Sequence, residues 1–387
     1  MLRNAAWPND GADNARMPAH IMNAIRLIAI GGEYNVGRHG GEVAMRPYLL
    51  TLTVVAVVWS TQVSGQGGNP QYGKPKRLNK MIELLDAGQP VYDSNVTGGG
   101  YEEGRKLAQT TNDLIQYEME HGPFEPQRLR EFMQGLVDGG PTKSGHRTPT
   151  VIVTLPFLGL DAASVRANTW VVEQILTAGV HGLMLCHARN AEAVRAFVAA
   201  ARYPFERQHL RGADKGLPEG LRGSGGQGPA AKIWGISAAE YMERADPWPM
   251  NPNGELILSV KMEDKYGLEN VDEITGVPGI AWGEWGPGDQ AMSLMGLEYL
   301  KKGGSDEAHA GTGGFTPEGL PRIGEPKLDA ARARIMAAMK AHHIFPLHSA
   351  SIDNLEQLIK AGIMVTHGTS IELTNKGRAF TRRQMPY

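Results

Sequence analysis

Short apolar runs alternate with amphipathic stretches along most of the chain. Runs rich in β-branched or apolar residues predict eight strands: Pro90–Asp93, Asp113–Tyr117, Val151–Leu155, Gly182–Cys186, Leu256–Met262, Ile280–Trp285, Ile344–Leu347 and Ile363–Thr366. Apolar residues at helical spacing predict helices between several of them: Leu78–Ala87, Pro126–Val137, Asn168–Ala178, Ala191–Ala201, Lys327–Ala341 and Ile352–Lys360.

Strands that alternate with helices predict an α/β architecture. Eight strands fit a (β/α)8 TIM barrel better than an antiparallel sandwich, and a doubly wound open sheet is the alternative. No G-x-G-x-x-G motif follows the first predicted strand, which disfavours a dinucleotide-binding sheet. Two stretches rich in glycine and proline, Arg207–Gly235 and Lys301–Pro326, are predicted to be long loops, which on a barrel often cover the active-site mouth.

The segment 45–68 has the pattern of a secretory signal peptide. Arg46 gives it a positive start, Tyr48–Trp59 is uncharged and largely apolar, and Val63-Ser64-Gly65 precedes a cleavage point at Gln66. The apolar run is shorter than the ~20 residues of a membrane-spanning helix, so no stable span is expected after cleavage. An internal buried strand or helix is the alternative.

This pattern divides the chain into four parts. Residues 1–44 are expected to have no packed structure and to result from a translation start assigned too far upstream. Residues 45–65 are expected to be the signal peptide, 66–76 a linker, and 77–387 one (β/α)8 catalytic domain. The mature protein is therefore expected to be exported, either to the periplasm or outside the cell. It would be cytoplasmic if the leader is not used.

Composition excludes several classes of protein. The 387 residues are 41% hydrophobic and 21% charged, which is ordinary for a globular protein. A formal net charge of −2 gives no reason to expect nucleic-acid binding. The single cysteine, Cys186, excludes an intramolecular disulfide and a cysteine-ligated zinc site. The 49 glycines indicate many tight turns or anion-binding loops.

Polar side chains follow the predicted strands, at the end of a barrel where active sites lie. They include Glu118, Glu120 and His121 after the second strand, His187 after the fourth, Lys261, Glu263 and Asp264 after the fifth, Asp289 after the sixth, and His348 and His367 after the last two. Carboxylates that converge at this end of a barrel are typical ligands of Mg²⁺ or Mn²⁺ rather than of zinc. A neighbouring imidazole suits general acid–base chemistry.

Four ordered blocks between Arg77 and Gly377 carry a family resemblance. They are Asn112 to Pro123 with its Glu118-Met119-Glu120-His121-Gly122-Pro123; Ala178-Gly179 through Ala191-Glu192-Ala193 to Arg202-Tyr203-Pro204; Arg222-Gly223; and Met262-Glu263 followed by Gly286-Pro287-Gly288-Asp289. The set resembles the D-x-E-H-x-P, A-G…R-Y-P, R-G and I-E…G-P-x-D blocks of the HpcH/HpaI aldolases, the metal-dependent class II pyruvate aldolases.

This resemblance implies a phosphoenolpyruvate/pyruvate-binding type of TIM barrel with roles for particular residues. Glu263 and Asp289 would bind a divalent metal, Mg²⁺ or Mn²⁺ with Co²⁺ as a further alternative. The backbone around Gly288 and Asp289 would hold the substrate carboxylate, and His121 would move the proton of the aldol hydroxyl. Glu118, where the family has aspartate, would either orient His121 or only cap the strand end. A small 2-oxo acid substrate and a homo-oligomer are also implied.

The chain departs from the family at its third strand, which normally ends in an arginine before a proline and contacts the enolate. The run here is Val151-Ile152-Val153-Thr154-Leu155-Pro156. Another cation would be needed, and Lys261 is the first candidate because period-two alternation places it on the strand face of Glu263. His187 and Arg222 are the next candidates, and an outward-facing side chain is the alternative for Lys261.

Retro-aldol cleavage of a 4-hydroxy-2-oxo acid, of the 2-keto-3-deoxy sugar acid type, to pyruvate and an aldehyde is the leading hypothesis for function. A lyase acting on CoA thioesters is a second hypothesis, although the sequence shows no basic cluster for the coenzyme's phosphates. An exported barrel that binds metal and a 2-oxo acid but has lost or altered its catalysis is the alternative from a different class.

Overall fold

The computed structural model of the protein describes residues 76–210, 216–304, 314–367 and 370–383. The predicted signal peptide and the segment before it lie outside the described residues, as do the predicted linker apart from residue 76 and part of the second long loop. Within the described ranges, no helix is long and apolar enough to cross a membrane.

All the strands of the described chain belong to one parallel sheet. They are β1 (Val91–Thr97), β2 (Leu114–Glu118), β3 (Thr150–Leu158), β4 (Gly182–Cys186), β5 (Pro247–Trp248), β6 (Leu256–Met262), β7 (Ile280–Trp285), β8 (Phe345–Ser349) and β9 (Val365–His367). Because β9 pairs with β1 and β4 pairs with β6, eight strands close into a barrel, and β5 only adds to the start of β6. The predicted (β/α)8 barrel is confirmed, and the open sheet is excluded.

Helices precede, separate and follow the strands along the chain. They are α1 (Lys80–Asp86), α2 (Tyr101–Leu107), α3 (Pro126–Asp138), α4 (Ala162–Ala167), α5 (Thr169–Thr177), α6 (Ala191–Ala201), α7 (Gln227–Trp234), α8 (Ala238–Arg244), α9 (Lys265–Glu269), α10 (Val271–Thr275), α11 (Pro287–Met295), α12 (Leu297–Leu300), α13 (Pro326–Ala341), α14 (Leu355–Lys360) and α15 (Ile371–Phe380). The six predicted helices are present. The first begins two residues late because the Asn79 side chain caps it, accepting from the N–H groups of Met81 and Ile82.

The predicted loop Arg207–Gly235 is wrong in its second half, where α7 forms. The glycines and the proline of this stretch favour a loop, but the helix has an apolar face that includes Ile233 and Trp234, both of which are buried. The indole Nε1 of Trp234 donates to the carbonyl of Gly179, 2.9 Å away, and Gly235 ends the helix with a φ of 74°. Burial of this face therefore outweighs the weak helix propensity of its first turn.

The two largest apolar clusters lie on opposite faces of the strands. Val153 and Leu185 belong to the cluster between the sheet and its helices, whereas Ile152 and Met184 belong to the cluster inside the barrel. Helix α1 contributes Met81, Ile82, Leu84 and Leu85 to the inner cluster. Apolar side chains thus fill the amino-terminal part of the barrel, and the polar inward-facing residues lie nearer the carboxyl ends of the strands.

A buried ion-pair network ties the first described helix to the last one. Lys80 Nζ lies 2.9 Å from Asp113 Oδ1, and Arg383 Nη1 lies 2.8 Å from Asp113 Oδ2. Arg378 contributes a third cation at 3.4 Å. Burial of Asp113 would raise its pKa, but the charges of Lys80 and Arg383 outweigh burial and hold the pKa well below its usual range.

Candidate active site

Glu263 lies directly after β6 and is completely buried. Its Oε1 accepts a hydrogen bond from the backbone N–H of His187 at 3.0 Å. Its Oε2 is also buried and accepts no hydrogen bond from the described residues. Burial raises the pKa of Glu263 to about 7, with Lys261 and His187 acting in the opposite direction. The cation nearest to this oxygen is the Lys261 ammonium, 3.3 Å away, so Oε2 keeps lone pairs for a metal ion.

Asp289 reaches the same place from the first turn of α11. Ligand atoms of His187, Glu263 and Asp289 all lie within 4.8 Å of one another. Gly286 makes this approach possible, because a Cβ at that position would stand only 2.2 Å from Glu263 Oε2. The glycine before the helix is therefore required by the carboxylate that it faces.

This donor set fits a divalent cation. Two carboxylates and one imidazole nitrogen leave coordination positions for water and for a substrate, as hard oxygen-preferring ions require. Gly288 follows at the start of α11, where backbone N–H groups have no partner within the helix and favour anions. A second group, Glu120, Cys186 and Glu263, shares Glu263. The sequence places Glu120 after the second strand but assigns it no role, and the structure brings it to the site.

Lys261 points into the barrel. Its Nζ lies 3.3 Å from Glu263 Oε2 and 3.5 Å from Glu120 Oε2. Burial would lower the pKa of Lys261, but Glu284 and Glu263 outweigh burial and raise it, so the ammonium stays charged. The predicted shared face of Lys261 and Glu263 is confirmed, and the outward-facing alternative is wrong.

His187 lies inside the same cluster. Its Nε2 is 3.6 Å from Glu263 Oε1, and its Nδ1 is 3.5 Å from Asp264 Oδ2. Asp264 is itself fixed, because its Oδ2 accepts from Arg189 Nε at 2.6 Å and its Oδ1 caps α9. The proximity of Asp264 raises the pKa of His187 despite burial. The backbone of His187 has a φ of 47°, which a non-glycine residue adopts only where its surroundings hold it.

His121 lies at the rim of the site, with its side chain 70% exposed and its Nε2 3.7 Å from Glu120 Oε2. Glu118 does not contact the ring. Its Oε1 instead accepts the backbone N–H of His121 at 3.0 Å and also that of Glu120. Glu118 thus fixes the backbone of the loop that carries His121.

Arg222 does not reach this cluster, which corrects the prediction that it binds substrate. The guanidinium is sandwiched between the rings of Tyr203 and Tyr241, 4.5 Å and 5.1 Å from their centroids, and donates to the Tyr241 hydroxyl. Tyr203 lies just beyond the carboxyl end of α6, and the Tyr241 hydroxyl donates to Leu176 at the end of α5. Helices after strands run back toward the amino-terminal face, so Arg222 lies on the far side from the site.

The strands across the barrel carry a second polar group, formed by His367, Asp93, Asn95 and Gln116. His367 Nδ1 lies 3.1 Å from Asp93 Oδ2, and Gln116 Nε2 donates to the same carboxylate at 2.6 Å. Asn95 Nδ2 lies 2.9 Å from His367 Nε2.

His348, at the end of β8, does not belong to this group. Burial lowers the pKa of His348 to about 4, and its Nε2 lies 3.4 Å from Arg332 Nη1.

Comparisons with known proteins agree with this fold. The hydroxypyruvate/pyruvate aldolase of Roseobacter denitrificans is 24% identical over 220 residues, which cover 57% of this chain and 71% of the relative. The enzyme of the same name from Deinococcus radiodurans is 33% identical over 182 residues, 47% of this chain and 52% of the relative. The 2-keto-3-deoxy-L-rhamnonate aldolase of Klebsiella pneumoniae is 33% identical over 130 residues, 34% of this chain and 41% of the relative. The chain thus spans between about two fifths and seven tenths of these relatives.

A solved structure shares the architecture. An HpcH/HpaI aldolase/citrate lyase family protein from Burkholderia cenocepacia superposes with a TM-score of 0.54 at 21% identity, covering 78% of this chain and 96% of that one. The family model for HpcH/HpaI aldolase/citrate lyase matches residues 149–373, more than half of the chain. That range includes Glu263, Asp289, His187 and Lys261. The chain belongs to the HpcH/HpaI aldolase/citrate lyase family.

Proposed function

We propose that this protein is a divalent-metal-dependent carbon–carbon lyase that cleaves a 4-hydroxy-2-oxo acid into pyruvate and an aldehyde. The observation that carries the proposal is the convergence of Glu263, Asp289 and His187 within 4.8 Å at the carboxyl ends of the strands. Relatives named hydroxypyruvate/pyruvate aldolase and 2-keto-3-deoxy-L-rhamnonate aldolase support the same class of reaction.

Glu263 and Asp289 would hold the cation, Mg²⁺ or Mn²⁺, with His187 beside them. When bound, the cation would polarise the 2-oxo group and stabilise negative charge on its oxygen. The N–H groups of Gly288 and Asp289 would bind the substrate carboxylate at the start of α11. These contacts hold the 2-oxo acid end of the substrate in one orientation.

His121 would take the proton of the C4 hydroxyl. As the C3–C4 bond breaks, C4 becomes the aldehyde carbonyl and the bonding pair moves into the enolate of pyruvate. Protonation of C3 then yields pyruvate, so the proton removed from the hydroxyl is balanced by the one added to carbon. The exposed ring of His121, carried on a loop that Glu118 fixes, can reach a substrate that enters from the mouth.

Lys261 would supply the charge that the family draws from the strand-three arginine. Thr154 occupies that region of β3 and is buried without a charge. Lys261 Nζ stands 3.3 Å from the carboxylate that would bind the metal, so its positive charge is close to the enolate oxygen. A fixed cation aimed at a developing oxyanion is worth most where water is excluded, and Lys261 is largely buried.

A pyruvate-release screen tests this function. Purified protein is incubated with 2-keto-3-deoxy sugar acids and shorter 4-hydroxy-2-oxo acids in Mg²⁺, Mn²⁺ or Co²⁺, and pyruvate is measured with lactate dehydrogenase. We expect metal-dependent release that EDTA abolishes and added metal restores. No release from any of these acids under any metal would contradict the proposal.

The second candidate is an exported barrel that binds metal and a 2-oxo acid without turnover. The absence of an arginine from β3 before Pro156, where the family has one, is the observation that favours it. Pyruvate binding without exchange of its methyl hydrogens for solvent deuterium would select this candidate. Exchange would select the enzyme.

Export and assembly are further parts of the proposal. The pattern of 45–65 supports cleavage near Gln66. Mass spectrometry of protein expressed with its native leader should show the loss of about 65 residues, and intact cytoplasmic protein beginning at Met1 would contradict export. Sedimentation should show a homo-oligomer, as the resemblance implies, and a monomer at micromolar concentration would contradict that.

A further inference from the structure

A cavity of about 260 Å³ lies at the amino-terminal face of the barrel. It is enclosed by α1, by the residues just before β1, by the loop before β3 and by the residues after α15. Ala87 at its rim is exposed, so the cavity opens to solvent. Its polar lining residues are Lys80, Glu83, Gln89, His146 and Arg383. The candidate active site lies at the opposite, carboxyl ends of the strands, so the two sites are separate.

Lys80 and Arg383 place two buried cations in the wall of this cavity. The side chain of each is only 1% exposed. Lys80 Nζ lies 2.9 Å from Asp113 Oδ1, and Arg383 Nη1 donates to Asp113 Oδ2 at 2.8 Å. An ammonium has three N–H groups and a guanidinium has five. Within the described residues, Lys80 Nζ has no further hydrogen-bond partner and Arg383 Nε has none, so the wall keeps buried donors for a ligand.

Positive charge exceeds negative charge in this network. Three cations, Lys80, Arg378 and Arg383, share the carboxylate of Asp113. Burial lowers the pKa of Lys80, the two arginines act in the same direction, and Asp113 opposes these effects without cancelling them. An anion in the cavity would therefore stabilise the charged form of Lys80.

Glu83 also lines the cavity, but its negative charge already has partners. Its Oε2 accepts from the backbone N–H groups of Lys76 and Arg77 at 2.8 Å and 3.0 Å, and lies 3.3 Å from His146 Nε2. Burial would raise the pKa of Glu83, but hydrogen bonds from His146 and the backbone outweigh burial and lower it. The buried donors on the other side of the cavity thus stay available for a second anion.

Gln89 adds a hydrogen-bond acceptor to the lining. Its Nε2 donates to the carbonyl of Thr381 at 3.4 Å, and because a carbonyl can only accept, the amide oxygen must point elsewhere. That oxygen, Oε1, is buried and has no hydrogen-bond partner among the described residues. The cavity thus combines cationic donors with a neutral acceptor. Hydrogen phosphate matches this combination, because it accepts N–H groups and also donates its own P–OH, whereas sulfate has no proton to donate.

We propose that the cavity lined by Lys80, Arg383 and Gln89 is a binding site for hydrogen phosphate. Lys80 and Arg383 would donate charge-assisted hydrogen bonds to the phosphate oxygens, and the P–OH would donate to Gln89 Oε1. The bound anion would connect α1 with the residues after α15 and balance the charge around Asp113. The site does not depend on the proposed reaction, because it lies at the other face of the barrel.

Calorimetry with inorganic phosphate and with sulfate tests the site. Metal-free protein in EDTA is titrated at about pH 8, where both anions are largely divalent, and at constant ionic strength. We expect a dissociation constant for phosphate of about 1 mM or lower, the value of two hydrogen bonds to charged groups, and at least about tenfold weaker binding of sulfate. A wild-type protein that binds neither anion, or that binds both equally, would overturn the proposal.

Three variants locate the binding. Gln89→Met removes the acceptor and should abolish the preference for phosphate, while sulfate affinity stays within about twofold and so shows that the cavity is intact. Gln109→Met is the matched control, because the exposed Gln109 also donates its Nε2 to a backbone carbonyl, that of Pro141, and it should keep the preference. Lys261→Met removes a cation from the candidate active site and should bind phosphate as the wild type does. A preference that survives in Gln89→Met or is lost in Gln109→Met, or phosphate binding that is lost in Lys261→Met, would overturn the assignment to this cavity.

Discussion

Lys261 Nζ lies 3.3 Å from Oε2 of Glu263, so a buried ammonium stands beside the carboxylate best placed to hold a metal. The two residues are separated by one position along the end of β6, and both side chains turn into the barrel. The carboxylates of Glu284 and Glu263 keep Lys261 charged against the effect of burial. The site therefore combines ligands for a cation with a fixed positive charge of its own.

Removal of that charge should slow enolisation without loss of the metal. Loss of one electrostatic donor to an oxyanion typically costs ~10²–10³ in rate, so Lys261→Met should reduce pyruvate methyl exchange by about that factor. Metal affinity, measured by calorimetry, should hold or rise because a competing cation has gone. Lys265→Met, at an exposed position in the first turn of α9, is the control and should exchange at the wild-type rate.

An unchanged exchange rate in Lys261→Met would show that Lys261 does not stabilise the enolate, and His187 would be the next candidate.

A rescue experiment adds to the test of Lys261. Thr154 is buried and shares the inward face of β3 with Ile152, so Thr154→Arg would place a guanidinium at the barrel interior. In the Lys261→Met background, it should restore part of the lost rate.

Gly286 should be intolerant of a methyl group for a local reason. Its φ of −84° suits alanine, but a Cβ would stand 2.2 Å from Glu263 Oε2 and push the carboxylate away. Gly286→Ala should therefore weaken Mg²⁺ binding by at least about tenfold, because it displaces one of the two carboxylates that we propose hold the metal. In Gly228→Ala, a Cβ meets nothing within 4 Å, and metal binding should not change. Equal metal affinities for the two variants would show that Gly286 does not shape the site.

Asp113 should be a determinant of stability rather than of activity. Asp113→Asn leaves Lys80, Arg378 and Arg383 without their shared carboxylate, and breaking a buried ion pair costs about 3–5 kcal/mol. Urea denaturation measures this free energy of unfolding. Asp86→Asn removes an exposed partner of Arg77 and should cost no more than about 1 kcal/mol. Similar losses in the two variants would mean that the network contributes little.

His367 should make stability depend on pH. Its pKa is raised to about 9 in the folded protein, above the ordinary value of 6.5. The stabilisation by the charged ring is fully present below pH about 6.5 and is lost as the pH rises through about 9. Because the ring is partly exposed, we expect this loss to be about 1–2 kcal/mol. The difference in unfolding free energy between wild type and His367→Gln should therefore decrease by about 1–2 kcal/mol from pH 6 to 10. A difference that stays constant over this range would contradict the stabilisation by the charged ring.

The barrel could be predicted from the sequence because its strands are short apolar runs bounded by clear breaks. Predicted and observed bounds coincide for β4, β6 and β7. Helix α7 could not be predicted, because Gly228 and Pro229 in its first turn disfavour a helix and its apolar face is stabilised only by tertiary packing. Where burial supplies the stability of an element, local propensity is a poor guide to it.

The site was predictable where residues share a strand or a motif. The shared face of Lys261 and Glu263 follows from alternation along β6, and Asp289 follows from the resemblance of Gly286-Pro287-Gly288-Asp289 to the family's block. The pairing of His367 with Asp93 depends on the closure of β9 onto β1, which joins residues 274 positions apart. Arg222 was misplaced because its position in a connection gave no information about which face of the barrel it reaches.

Exchange of the pyruvate methyl hydrogens for deuterium, followed by proton NMR with added Mg²⁺ or Mn²⁺, measures enolisation at the proposed metal site. We expect metal-dependent exchange in the wild-type protein and its loss in Glu263→Gln and Asp289→Asn, together with the loss of metal binding measured by calorimetry. Full metal affinity and unchanged exchange in either variant would contradict the assignment of Glu263 and Asp289 as the residues that hold the metal.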